Sequence, residues 1–121
     1  MAVNNQDQFL NIQLNFDTID RYYIRTSIKK AIDDNLHNFN GIFLDLGCGE
    51  MPYREYIINN SNITKYIGVD IENKIYQKQI KPDIFWDGKK LPFDDNSIDT
   101  IMATEVFEHV PNLDEILKEI Y

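Results

Sequence analysis

Cysteine is almost missing from this chain: among 121 residues there is one thiol, at Cys48. One thiol excludes an internal disulfide and leads to the expectation of a reducing cytoplasm. Long apolar runs are missing too. No stretch approaches the roughly 18 to 20 residues that span a bilayer, and the opening MAVNNQDQ has neither the basic start nor the apolar run of a secretory signal. Positive charge is scarce, with 12 Lys and Arg against 20 Asp and Glu and a formal net charge of −8. That balance argues against an electrostatic hold on nucleic acid or on an anionic membrane surface. The chain also lacks internal repeats and low-complexity tracts. Glycine is limited to five residues, and two of them flank the lone cysteine in LDLGCGEMPY at 44–53.

What is present fits one domain with a modest core. Residues 91–121 hold eight acids against Lys118 as the only Lys or Arg; a solvated acidic face is the plain reading and a site for a cationic ligand the sharper one. Lys74, Lys78 and Lys81 form a basic stretch that reads as another solvated face. Residues 1–16 alternate weakly and fit either a strand or an arm packed on the body. Asp17 is positioned to cap a helix, with Ile24, Ile28, Ala31, Ile32, Leu36 and Phe39 forming one apolar stripe at helical spacing. Asn40-Gly41 then reads as its stop.

Four short apolar runs follow, at 42–46, 65–71, 83–86 and 97–103. Pro52 is suited to start a helix after the first, and Asn112 to cap a last helix with Leu113, Ile116, Leu117 and Ile120 inward. Strands separated by helical segments imply an α/β fold: a Rossmann-like, doubly wound parallel sheet with right-handed crossovers.

That architecture explains the glycines. Ligands of doubly wound sheets sit beyond the carboxyl ends of the strands, and the turn leaving the first strand approaches them closely. Gly47 and Gly49 permit positive φ with no Cβ in the way, and their turn is expected to face its N–H groups outward. Asp70 ends the second strand 21 residues after Gly49, near the spacing at which an acid accepts both hydroxyls of a ribose; a turn or cap residue is the alternative. Asp87-Gly88, after the third strand, reads either as a contact to an adenine edge or as a hairpin turn.

GIFLDLGCGEMPY, YIGVDIEN and WDGKKLPFDDNSIDTIMATEVFEHV, in this order and at these intervals, resemble the motifs of class I S-adenosylmethionine-dependent methyltransferases of the bacterial LDLGCG…EHV type. The resemblance covers about residues 41–121. It implies an N-terminal arm and helix at 1–40 and an S-adenosylmethionine-binding core at 41–121. Asp45, Gly47, Cys48 and Gly49 would line the methionine end of S-adenosyl-L-methionine, Asp70 would take the ribose hydroxyls, and Ile71 would lie against the adenine. Asp87 and Gly88 would meet the adenine edge, and Thr104 and Glu105 would border the methyl group. No metal is implied. A dinucleotide-binding enzyme is disfavoured because Pro52 stands where the third glycine of G-x-G-x-x-G belongs and an acid sits inside the first strand.

Many family members carry a small residue or glycine where Met51 stands, and members usually continue past the last helix into further strands. The domain is therefore expected to be truncated after the fourth strand and its helix, as a piece of a longer protein. The fourth strand would then form an edge that invites a partner strand or a dimer. The expected activity is methyl transfer to a small-molecule or glycan-like acceptor, and the alternative is a non-catalytic binding module that keeps the cofactor fold. Glu108 and His109 are the candidate general bases, needed only if the acceptor must lose a proton; for His109 the alternative is a cap or packing role at the last helix. Cys48 reads as a small apolar filler with no partner to activate it.

Overall fold

A computed structural model describes residues 9–72 and 80–121. Lys74 and Lys78 lie outside the described residues, as do residues 1–8; Lys81 is exposed. The elements are α1 (Ile19–Asn35), β1 (Asn40–Leu46), α2 (Arg54–Asn60), β2 (Asn62–Ile71), β3 (Ile84–Trp86), β4 (Thr100–Ala103) and α3 (Leu113–Ile120), with one-turn 3₁₀ segments at Leu36–Asn38 and Phe107–His109. The sheet order is β3-β2-β1-β4, and all three pairings are parallel. This is the Rossmann-like α/β arrangement expected from the alternation of strands and helices. Among the described residues, β4 pairs with β1 alone.

Both sheet faces are covered, which is why β1 reads as a continuous apolar run and not as an alternating one. One face carries Phe43, Tyr66 and Met102 under Ile32 of α1 and Ile57 of α2. The other carries Leu44, Leu46, Ile67, Val69 and Trp86 under Ile116 of α3. Phe43, Leu44, Leu46, Ile57 and Val69 have no exposed surface, and each contributes about 1.5–3 kcal/mol of burial.

Several boundaries depart from the sequence reading, each for a local reason. α1 begins at Ile19, and Asp17 does not cap it; the Thr18 hydroxyl instead donates to the Gln13 carbonyl, and Asp17 spends its N–H on the Asn15 side chain at 3.0 Å. The apolar stripe docks only over its C-terminal half: Ile28, Ile32, Leu36 and Phe39 pack on the core, while Ile24 and Ala31 are exposed. Asn40-Gly41 is no helix stop. It opens β1, where Gly41 at φ +59° forms an irregularity in the register with β2 and the Asp99 carboxylate accepts the Ile42 N–H at 2.7 Å. That use of Asp99 shortens the fourth strand to Thr100–Ala103. α2 starts at Arg54, two residues beyond Pro52, and is a short helix of seven residues. On α3 only Ile116 is buried, whereas Leu113 and Leu117 are exposed. Asn112 holds the capping position of α3 without a side-chain bond to the backbone. No strand forms in residues 9–16; Phe9 and Leu10 pack against the core as an arm, with Phe9 edge-on to Tyr53 at 5.9 Å.

Candidate functional site

Parallel register places the carboxyl ends of all four strands on one rim: Leu46 pairs with Val69 and Ala103, and Ile71 pairs with Trp86. The glycine turn leaves β1 at this rim and is stapled to β2. The Gly47 and Cys48 N–H groups both donate to the Val69 carbonyl, at 2.8 and 3.1 Å, and the Gly49 N–H donates to Asp70 Oδ2 at 2.9 Å. The expectation that these N–H groups face outward is therefore corrected. The β2 backbone and the Asp70 carboxylate take up the Gly47, Cys48 and Gly49 N–H groups, so these three do not form an anion cradle of the dinucleotide-binding kind.

The two glycines serve different ends. Gly47 has φ +71°, and a Cβ built on it would lie 2.3 Å from Val106 Cγ2, so the chain leaving β4 closes against the turn. Gly49 has φ +53° and nothing within 4 Å of a Cβ, leaving open space above it. Met51 follows at φ +52°, a left-handed conformation that suits glycine, yet its side chain is buried with its sulfur over Gly68 and beside Cys48. The deviation noted in the sequence thus falls on a real backbone constraint, and packing offsets its strain. Glu105 is a second non-glycine residue with positive φ, +54°, at the end of β4. Left-handed residues at both sides of the rim mark it as a constrained site.

Asp70 is half-buried, with its other oxygen accepting the Ile71 N–H at 2.7 Å. Ile71 leaves its side chain 46% exposed, and a Cβ on Gly88 would lie 3.4 Å from its Cδ1. An apolar surface therefore stands open beside a bare backbone segment. Asp87 is at the same rim, but its Oδ1 accepts the Lys89 and Lys90 N–H groups at 2.8 and 3.0 Å, which hold its carboxyl below the usual range. This closes a side-chain turn, and among the described residues β3 pairs with β2 alone, so Asp87-Gly88 makes no hairpin there.

Asp45 lies beneath the turn, 2% exposed, and accepts a hydrogen bond from the Tyr66 hydroxyl. Burial raises its carboxyl from an ordinary 3.8 to about 6; the Tyr66 bond opposes this, and the nearby Asp70 charge adds to it. Burial, with the Asp45, Asp70 and Asp83 charges, pushes the Cys48 thiol far up, which makes it the inert filler expected of it. Tyr53, nearly buried, is raised to about 12 chiefly by burial; Arg25 opposes that rise, while Glu105 and Asp45 add to it. Arg25 of α1 and Glu105 after β4 thus act on one hydroxyl beside the turn.

Glu108 and His109 stand apart, on the 3₁₀ turn past Val106. Their side chains are 54% and 78% exposed and 3.8 Å from each other, and Asn112, not His109, holds the capping position of α3. Thr104 is half-buried and Glu105 exposed at the end of β4. The structure also reveals partners that sequence reasoning missed: Tyr66, Gly68 and Val106. For Tyr66 and Gly68 a signal existed, because they share one strand face with Asp70 at period two. Val106 offered none.

A concavity of about 420 Å³ lies elsewhere, between α3 and the loop at 90–98, lined by Leu44, Ile101 and charged residues including Lys90, Asp95 and Lys118. It contains none of the rim residues.

No curated protein and no solved structure matches the chain. A family model described as a methyltransferase domain matches residues 44–121, which run from the middle of β1 through α3 and include the whole rim.

Proposed function

Since the chain belongs to the methyltransferase domain family, we propose that its rim binds S-adenosyl-L-methionine and that the intact protein transfers the methyl group to a small-molecule or glycan-like acceptor. The observation that carries this reading is the contact between Gly49 and Asp70, 21 residues apart, beside the open face of Ile71 and the bare backbone of Gly88. The residues present fit the group. The space over Gly49 admits a bulky ligand, Asp70 has lone pairs in reach of vicinal hydroxyls, and Ile71 with Gly88 offers a flat apolar seat for an adenine ring. Asp87 keeps its Oδ2 for the adenine amino group. Asp45 and Cys48 form the floor near the methionine end, and Thr104 and Glu105 form the wall toward the acceptor.

S-adenosylmethionine supplies an electrophilic methyl carbon on a sulfonium, which needs alignment more than acid–base help. The chain's part is then to bind, orient and exclude water. Asp70 fixes the ribose and Ile71 the ring. The buried Asp45 carboxylate sets a negative field under a cationic ligand. Exposed Glu108 and His109 reach solvent, so any proton from an acceptor leaves through them only if the acceptor docks on their turn.

Calorimetric titration with S-adenosylhomocysteine tests the reading. The protein is expected to bind, and Asp70→Ala to lose at least about 100-fold in affinity, because two hydroxyls would lose a charged acceptor at about 1.5–3 kcal/mol each. The non-catalytic alternative remains if the wild-type protein gives no heat, and preferential binding of NADH would favour the dinucleotide reading.

A further inference from the structure

We infer that Tyr66 is a positioning residue for the site: its hydroxyl holds one oxygen of Asp45, so that the buried acid stays ionised and presents its remaining lone pairs to the ammonium group of the cofactor. The inference rests on the proposed cofactor reading and adds to it a residue that the ligand need not touch.

Tyr66 is well held. Its ring is 5% exposed, stacks on Phe43 at 5.3 Å between centroids, and has the Arg54 guanidinium 5.6 Å from its centre on β2's helical side. Phe43 pairs with Tyr66 and Asp45 with Gly68, so the hydroxyl reaches one step diagonally along the same sheet face to the carboxyl. Gly68 has no side chain to compete for that carboxyl, and the space over it is filled by the Met51 thioether sulfur, which has no proton to donate, and by the Cys48 thiol, a weak donor. Among the described residues, Tyr66 is therefore the one strong side-chain donor to Asp45.

Among the described residues, the groups around Asp45 leave this tyrosine alone in favouring the charge. Asp70, at the end of β2, opposes ionisation. The Cys48 thiol in the turn and the Tyr53 hydroxyl before α2 both feel the Asp45 charge as a like charge to their own ionised forms. Met102, its neighbour on β4, is neutral. Arg25 of α1 acts on Tyr53, and Arg54 of α2 acts on Tyr66. Burial and the Asp45 charge push the Tyr66 hydroxyl far above its usual range, so it remains a donor at every pH at which the fold is used.

Tyr66→Phe keeps the ring and its stacking while deleting the donor. Following the Asp45 carboxyl carbon by NMR in the unliganded protein, the midpoint is expected to move up from about 6 by about one pH unit. Affinity for S-adenosylhomocysteine is then expected to fall about five-fold at pH 6 and to stay within about two-fold of wild type at pH 8.5, because the neutral fraction of Asp45 differs only near the midpoints. Asp45→Asn, with or without the tyrosine, has no carboxyl left to titrate and should bind at least about 100-fold more weakly at both pH values. An unmoved Asp45 midpoint in Tyr66→Phe would overturn the inference. So would a midpoint that moves while the binding profile stays where it was, since the tyrosine would then serve the fold alone. Absence of binding by wild type at every pH would refute the cofactor reading and the ligand half of this inference together, and the unliganded titration distinguishes that failure from a failure of the tyrosine.

Discussion

Asp45→Asn is expected to give a protein that is more stable than wild type at pH 7.5 and yet unable to bind the cofactor. The carboxyl of Asp45 is raised from 3.8 to about 6, mainly by burial. Between those values the folded state holds a proton that the unfolded state has released, so wild-type stability falls as pH rises from about 4 to about 6. Above pH 6 the cost of the buried charge is present in full. Asparagine can still accept from Tyr66 but carries no charge, so the variant should gain about 2 kcal/mol at pH 7.5 and almost nothing at pH 4. Denaturant melts of the two proteins at both pH values read the difference directly. The same variant removes the negative field under the ligand, and binding of S-adenosylhomocysteine should fall by at least about 100-fold. Gain in stability with loss of binding is the mark of a residue kept for function. A variant that is less stable at pH 7.5 would show that Asp45 is structural.

Gly47→Ala should cost about 3 kcal/mol and Gly49→Ala about 1 kcal/mol, although the two glycines flank one residue. Both have positive φ, which alone costs a side chain about 1 kcal/mol. Only at Gly47 does the new methyl also meet a neighbour, at 2.3 Å from a branched side chain with little room to turn. Val106→Ala removes that methyl, so the Gly47→Ala/Val106→Ala pair should recover most of the difference; thermal unfolding of the four proteins gives the coupling. Gly49→Ala should still weaken ligand binding, since its methyl would point into the open space above the turn. Equal losses at the two positions would mean that β4 does not close on the turn.

The parallel α/β arrangement was legible because β1 is apolar on both faces and helical segments separate the runs, which leaves few alternatives. That Gly49 and Asp70 lie close together was legible from spacing. What could not be read was contact across strands. Tyr66 lies 21 residues from Asp45, and their bond depends on a register that a one-residue slip would abolish. The direction of the turn's N–H groups was misjudged for a similar reason, since it is set by the Val69 carbonyl on the neighbouring strand. The Gly41 stop signal failed because positive φ serves a strand irregularity as well as a helix end. Met51 was flagged from residue type, and its left-handed backbone supplies the physical ground.

The most direct test of the account is a crystal structure of the protein with S-adenosylhomocysteine. The ligand is expected at the carboxyl rim, its ribose hydroxyls on Asp70, its adenine between Ile71 and Gly88, and its methionine end over the Gly47–Gly49 turn. Ligand density in the concavity between α3 and the loop at 90–98, with the rim bare, would contradict it.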